Sequence, residues 1–299
     1  MIRIGVDVGG TKIEAVALDA GGSIVERERV PTPRDYEETL AAITDLVRRL
    51  ENRIGSEARV GIATPGAISP ATGRIKNANS VCLNGMPLAE DLEARLGRKL
   101  RIANDADCFA LSEAVDGAAR GTSPVFGVIL GTGVGGGVII DGRPLRGPNA
   151  IAGEWGHNPL PWPALSELPG PRCYCGKHGC VETFLSGPGL AADHRAATGQ
   201  ITEPRRIVAA ADDGDPAARA TLDRYEERLA RALAVVINIL DPRTIVLGGG
   251  LSGIRRLYER VPRLWGKHVF SDQVDTRLVP PVHGDASGVR GAAWLWNTD

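Results

Sequence analysis

The sequence predicts an α/β fold made of two related lobes, and three observations carry that expectation. A chain of 299 residues exceeds what one small core holds and suits two lobes of roughly 120–180 residues each. Short apolar strands alternate with helical stretches along it. The third observation is a repeat. Strand, Gly-Thr turn, strand and Asp/Gly turn run once from Ile2 and again from Val125. Either copy alone is an ordinary hairpin; the pair indicates a duplicated domain.

In the first copy, Ile2, Ile4, Val6 and Val8 alternate as a half-buried strand does. The turn Gly9-Gly10-Thr11 follows, then a strand from Ile13 to Leu18, the tight turn Asp19-Ala20-Gly21-Gly22 and a third strand around Ile24 and Val25. After the Pro31-Thr32-Pro33 break, Leu40, Ile43, Leu46, Val47 and Leu50 recur at helical spacing. A strand from Arg59 to Ala63 stops at Thr64-Pro65-Gly66, and a helix-like segment runs from Ala106 to Ala118. The second copy has a strand from Val125 to Leu130, the turn Gly131-Thr132-Gly133, a strand from Gly137 to Ile140 and the turn Asp141-Gly142. Leu222, Tyr225, Leu229, Leu233, Val236, Ile237 and Leu240 form the stripe of a long helix that should end before Pro242. Thr244 to Leu247 is a strand opening onto Gly248-Gly249-Gly250. The linker between lobes is expected near Gly117 to Pro124, and Pro159 to Pro171 reads as a proline-rich loop.

Composition excludes several classes. Hydrophobic residues make up 43% and charged residues 24%, with a formal net charge of −1, so nothing marks a protein that coats nucleic acid or an anionic membrane. No apolar run approaches the ~20 residues that span a bilayer. The N-terminus, Met1 to Asp7, lacks the apolar core of a signal peptide, which makes the cytoplasm the expected location. Of five cysteines, Cys82 and Cys108 stand alone while Cys173, Cys175 and Cys180 cluster. An odd, clustered set in a reducing compartment points to a metal instead of disulfides.

Two glycine turns facing one ligand suit a polyphosphate, because bare backbone amides approach phosphate oxygens closely. Thr11 and Thr132 add hydroxyl donors, and Asp7, just before the first turn, is placed to hold a hydrated Mg²⁺. Neither turn has the P-loop spacing or a dinucleotide fingerprint, and plain β-turns are the competing reading. Gly248-Gly249-Gly250 suits an adenine ring and a structural turn about equally. Asp105 sits where a strand gives way to a helix; there a carboxylate orients and deprotonates an attacking alcohol, or caps the helix. His157, Cys173, Cys175 and Cys180 offer one imidazole and three thiolates, a closed tetrahedral set of the kind structural zinc takes. Such a site contributes on the order of 10 kcal/mol of apparent folding energy to its motif. Its loop would hold Glu154, His157 and Glu182 as acceptors and a donor for a polyhydroxylated ligand, although either glutamate alone reads as a surface charge.

Together these residues resemble the ROK family of repressors and sugar kinases. The resemblance rests on Asp7-Val8-Gly9-Gly10-Thr11-Lys12, Asn104-Asp105, Gly131-Thr132-Gly133, Glu154-Trp155-Gly156-His157 and the run from Cys173 to Glu182. Within the family the chain is most similar to bacterial fructokinases, through Pro31 to Arg34, Lys76-Asn77-Ala78-Asn79-Ser80, Ser112 to Ala118, Ala152 to Trp162 and His283 to Trp296. The resemblance implies a two-lobed actin-like ATPase (ribonuclease H-like) fold with a zinc-binding loop. One lobe is expected at 1–118, joined by a C-terminal helix over 286–299, and the other at 119–285. It implies Asp105 as catalytic base, with Gly66, Asn79, Asn104, Glu154, His157 and Glu182 around the sugar. ATP with Mg²⁺ is expected on Asp7, Gly9, Gly10, Thr11, Lys12, Gly131, Thr132, Gly133, Gly249 and Gly250. Zinc is expected on His157, Cys173, Cys175 and Cys180, and the protein is expected to form a homodimer.

The reaction expected on this basis is transfer of the ATP γ-phosphoryl group to the 6-hydroxyl of D-fructose, with D-mannose as a second sugar. A kinase for glucose or an N-acetylhexosamine is the alternative, since spacing does not show pocket shape. A sugar-responsive repressor is the remote one: the first strand begins at Ile2, which leaves no room for a winged helix-turn-helix, and no basic patch is present.

Overall fold

Alternating burial along β1 (Arg3–Val8) seats Ile4, Val6 and Val8 in a core, and the strand turns back at Gly9 into β2 (Lys12–Leu18) and then β3 (Ile24–Pro31). The computed structural model describes residues 2–78 and 80–297. Helix α1 (Tyr36–Ile54) starts where the Asp35 side chain accepts from the Glu37 and Glu38 amides, and it stops at Gly55, whose φ of 69° is left-handed. The stripe Leu40, Ile43, Leu46, Val47 and Leu50 is wholly buried. Then come β4 (Arg59–Thr64), the short pair β5 (Ala67–Ile68) and β6 (Ile75–Lys76), α2 (Leu88–Leu96), β7 (Arg101–Asn104) and α3 (Asp105–Val115).

The second copy consists of β8 (Val125–Leu130), β9 (Val134–Ile140) and β10 (Arg143–Pro144). After an irregular stretch follow α4 (Val181–Leu185), α5 (Gly187–Thr198), α6 (Pro204–Asp212), α7 (Pro216–Leu240), β11 (Thr244–Gly248), α8 (Leu257–Trp265), β12 (Arg277–Val279) and α9 (Ser287–Trp294). The two five-stranded sheets have the orders β3-β2-β1-β4-β7 and β10-β9-β8-β11-β12. In the first, β2 and β3 run antiparallel while β1, β4 and β7 run parallel. In the second, β8, β11 and β12 run parallel and β9 pairs antiparallel with β10. The repeat read from sequence is thus a repeat of topology.

The chain divides into two units: Met1–Gly121 with Gly137–Ala152 and Val282–Asp299, and Thr122–Gly136 with Gly153–Pro281. In the first unit, α9 lies directly on backbone. A Cβ on Gly5 would come within 2.0 Å of the Val289 carbonyl, one on Gly61 within 1.9 Å of Ala292 O, and one on Gly291 within 1.7 Å of Cys108 O. Three glycines therefore let α9 settle onto β1, β4 and α3. Its entry is held by Glu113, which is fully buried and accepts from the Ala118, Val282 and His283 amides and the Ser287 hydroxyl at 2.8–3.1 Å. A buried carboxylate with this many donors is satisfied.

In the second unit, α7 is capped by Asp215 and ends at Asp241, ahead of Pro242. Buried Arg231 on α7 donates to the Pro161 and Trp162 carbonyls and, with Arg228, to Glu167. These bonds fasten the proline-rich loop to the longest helix. Among the described residues, no helix is long and apolar enough to cross a membrane.

Candidate functional site

The predicted site residues fall in two groups, one in each unit. In the first unit the β1–β2 turn is closed by Gly9 N donating to Lys12 O at 3.0 Å and braced by Thr32, whose hydroxyl donates to Gly9 O at 2.7 Å. Gly10, Thr11 and Lys12 are exposed there. Asp7, on the strand before them, is pushed up to about 7 by burial, then by the Asp105 and Glu14 charges, against the pull of Lys12. A buried carboxyl raised by a neighbouring acid, beside an open backbone turn, is a place a cation would neutralise. Helix α9 comes close as well: a Cβ on Gly288 would stand 2.9 Å from Asp7 Oδ2.

Asn104 closes β7 and caps α3, its Oδ1 accepting from Ala106 N at 2.9 Å while its Nδ2 donates to Gly66 O at 2.9 Å. Gly66 has φ of 72°, and a Cβ on it would strike Lys76 O and Ala78 N, so only glycine fits. Asp105 is the first residue of α3, with Oδ1 accepting from Ala106 N at 2.8 Å. Asp7, Gly66, Asn104 and Asp105 therefore share one end of the first sheet. Asn79, predicted beside them, lies outside the described residues. Asn84 exchanges two 2.8 Å hydrogen bonds with the Ala78 backbone. Asn84 was not anticipated; its one signal was an Asn-Gly pair between loop residues.

In the second unit, three segments meet at the end of β8. Gly131 N donates to Gly133 O at 3.0 Å, Gly187 N donates to Gly131 O at 2.8 Å, and Leu251 N donates to Leu130 O at 3.0 Å. Gly249 has φ of 79°, and a Cβ there would lie 2.5 Å from Leu130 O. The turn after β11 thus packs against the strand that feeds Gly131 to Gly133. Gly249 and Gly250 belong to the same cluster of turns as Thr132.

Trp155 anchors the turn that carries Glu154 and His157, two of the residues predicted beside the sugar. It packs edge-to-face on Phe126 at 5.7 Å, and its Nε1 donates to Gly135 O at 2.9 Å. The single 3₁₀ turn Trp155–His157 therefore sits on the start of β9, with Glu154 as its N-cap residue. Glu182, in the first turn of α4, accepts from Val134 N at 2.9 Å. The ligand atoms of His157, Cys173, Cys175 and Cys180 all lie within 4.8 Å of one another. His157 Nδ1 is 3.6 Å from Cys173 Sγ, and Cys175 Sγ is 3.6 Å from Cys180 Sγ. Those edges match a tetrahedron of about 2.0–2.3 Å metal–ligand bonds, so the donor set fits zinc. The Lys177 amide beside Cys175 holds its thiol below the usual range, while burial pushes Cys180 up to about 12.

Tyr174, between two of these cysteines, was also not anticipated. Its hydroxyl is 2.9 Å from His157 Nε2, and the rings meet edge-to-face at 5.1 Å. Desolvation of the phenol, then the Glu182 and Glu154 charges, push it up to about 12.

The model of the ROK family matches residues 3–299. The chain belongs to the ROK family. This ROK chain is 44% identical over 304 residues to an N-acetyl-D-glucosamine kinase of Escherichia coli, covering 99% of each chain. Among solved structures it resembles the ROK hexokinase of Thermus thermophilus (TM-score 0.87, 31% identity, 99% and 97% of the two chains). It also resembles a ROK glucokinase of Streptomyces griseus in complex with glucose and AMPPNP (TM-score 0.80, 28% identity, 99% of each chain). The fold is the actin-like ATPase fold, and the protein is a ROK sugar kinase. The expectation of a fructokinase is overturned by the full-length likeness to N-acetyl-D-glucosamine kinases. The physical reason is that several segments behind it are framework: Pro31 ends β3, Ser112 to Ala118 carries the buried Glu113, and His283 to Trp296 contains α9. The substituent that separates these sugars is read by pocket shape.

Proposed function

We propose that this ROK kinase transfers the γ-phosphoryl group of ATP to the 6-hydroxyl of N-acetyl-D-glucosamine. The observation that carries this reading is the 44% identity, across 99% of both chains, to a kinase named for that sugar. In this reading Asp105 accepts the proton of the attacking hydroxyl, the task a carboxylate has in kinases. Asn104 already supplies a cap for α3 through its own side chain, which leaves Asp105 less needed as a cap. The residues this reading assigns to the sugar are Gly66, Asn79, Asn104, Glu154, His157 and Glu182.

The amides and hydroxyls of Gly9 to Lys12 and of Gly131 to Gly133 donate to the phosphates, and Gly249 and Gly250 flank the nucleotide. Asp7 would hold hydrated Mg²⁺, which when bound neutralises charge on the transferring group. Zinc on His157, Cys173, Cys175 and Cys180 would be structural, since four protein ligands leave no open position. The same reading makes the enzyme a cytoplasmic homodimer.

An ADP-release assay with N-acetyl-D-glucosamine, N-acetyl-D-mannosamine, glucose and fructose tests this. The highest kcat/KM is expected for N-acetyl-D-glucosamine. Turnover at least tenfold better on glucose, or none on either N-acetylhexosamine, would overturn it.

A further inference from the structure

Glu14 on β2 stands opposite both Asp7 on β1 and Arg29 on β3 in the strand register. Residues paired in this way project from one face, so Asp7, Glu14 and Arg29 form a row across the sheet beside the first glycine turn. Lys12, two residues before Glu14, shares that face and closes the turn through its carbonyl. Glu14 is only 3% exposed, a rare setting for a carboxylate unless it is paired. Arg27 reaches its Oε1 through Nε and Nη2 at 2.5 Å, and Arg29 Nε lies 2.9 Å from Oε2. Lys12 Nζ is 3.5 Å from the same Oε2. Against the cost of burial, the Arg29 and Arg27 hydrogen bonds hold the Glu14 carboxyl below its usual range, so it is ionised at neutral pH. Three cations that reach solvent thus surround one carboxylate that does not.

We propose that Glu14 is a specificity-determining residue for the phosphoryl donor, making the site prefer the magnesium-bound nucleotide to the free one. This rests on the reading of the protein as an ATP-dependent kinase with Mg²⁺ at Asp7. Without Glu14, the turn amides would lie beside three uncompensated cations, a strong attractor for any bare polyphosphate. Glu14 cancels part of that attraction. It also adds negative charge beside the carboxylate that would hold the metal, and its field reaches Asp7, whose carboxyl is raised by burial first and then by Asp105 and Glu14. Both effects favour a nucleotide whose charge is already reduced by magnesium over one that carries it in full. Burial keeps water and salt from screening the Glu14 charge, so the preference survives at ordinary ionic strength.

The test is calorimetric titration with ADP, once in excess Mg²⁺ and once in a chelator, for wild type, Glu14→Gln and Arg29→Gln, with circular dichroism to verify the fold. The quantity read is the Kd for free ADP divided by the Kd for Mg-bound ADP. Glu14→Gln should lower this ratio about tenfold, the effect of a unit charge several ångströms from a polyanion in a partly buried site. Arg29→Gln leaves Glu14 less compensated and should raise the ratio, by about threefold because Arg29 is exposed and partly screened. A support role for Glu14 would weaken both forms of ADP together and leave the ratio alone. A ratio within twofold of wild type in folded Glu14→Gln overturns the assignment, as does a shift of the same sign in both variants. Should Glu14→Gln not fold, an unchanged ratio in Arg29→Gln overturns it by itself. Wild type that binds no ADP with Mg²⁺ present would instead sink the kinase reading.

Discussion

Glu182 Oε2 accepts the Val134 amide at 2.9 Å, which ties the residue just after the cysteine run to the strand leaving the second glycine turn. The fit is close, because a Cβ on Gly133 would stand 2.7 Å from the same oxygen. Removing the side chain takes away the acceptor that the proposed function gives the sugar and leaves a part-buried amide unpaired. Glu182→Ala should therefore lower kcat/KM by about 10²-fold, the worth of a charged hydrogen bond near its upper range. Glu182→Gln keeps an oxygen for Val134 and should lose less. Steady-state kinetics of both variants check this.

Asp105→Asn preserves size and leaves the Asn104 cap of α3 in place. Turnover should fall by about 10²–10⁴, the usual worth of a positioned base, while the melting temperature stays near wild type. A variant with wild-type kcat removes Asp105 from the role.

Asp7 gives the metal-free protein a pH signature. Its carboxyl is raised from 3.8 to about 7 in the folded state, so the folded chain binds the extra proton between those values. Stability from this group is complete below about pH 4 and is lost as pH rises through about 7. The shift corresponds to at most about 4 kcal/mol. Asp7→Asn should flatten the dependence and raise the melting temperature at pH 8 relative to wild type. Added Mg²⁺ should stabilise wild type at pH 8 more than the variant. Thermal melts from pH 5 to 8 in the presence of a chelator, and again with Mg²⁺, read both effects.

Stripping the cysteine cluster should loosen the loop that presents Glu154, His157 and Glu182. Cys180→Ser, or a strong chelator, should lower the melting temperature by about 5–10 °C, on the scale of a few kcal/mol for a chain of this kind. Elemental analysis should show zinc lost in parallel. A melt unchanged after complete metal removal would contradict a structural role.

Gly291→Ala places a Cβ 1.7 Å from the Cys108 carbonyl, a backbone atom with no room to give. The change should cost about 3 kcal/mol or more, the upper range of overpacking. Denaturant titration measures it.

What was legible in the sequence was periodic. The alternation in β1, the stripe of α1 and the stop before Pro242 follow local rules, and all three elements form. Strand ends were less legible: β3 continues to Pro31 and β9 begins at Val134, three residues ahead of Gly137. Pairing with a neighbour extends a strand past the point where its own pattern fades. The cysteine spacing announced that His157, Cys173, Cys175 and Cys180 come together, with ligand atoms within 4.8 Å of one another. Tyr174 and Asn84 stayed hidden because their importance lies in what they touch. Tyr174 reaches His157 seventeen positions away, and that pairing exists only once the loop has folded. The sugar was hidden for a similar reason, since it is read by shape.

The three-segment make-up of the first unit affects how the protein is made. Helix α9, whose Gly288 leaves Asp7 its space, comes after the whole of β8 to β12 in the chain. On a ribosome the sheet β3-β2-β1-β4-β7 emerges first, yet one of its faces stays uncovered until Ser287–Trp294 has left the exit tunnel. The second unit can complete itself in the meantime, because its residues are already synthesised. Nascent chains arrested before Val282 should therefore bind chaperones through the unfinished half, and the capacity to phosphorylate should appear only once Ser287–Trp294 has emerged.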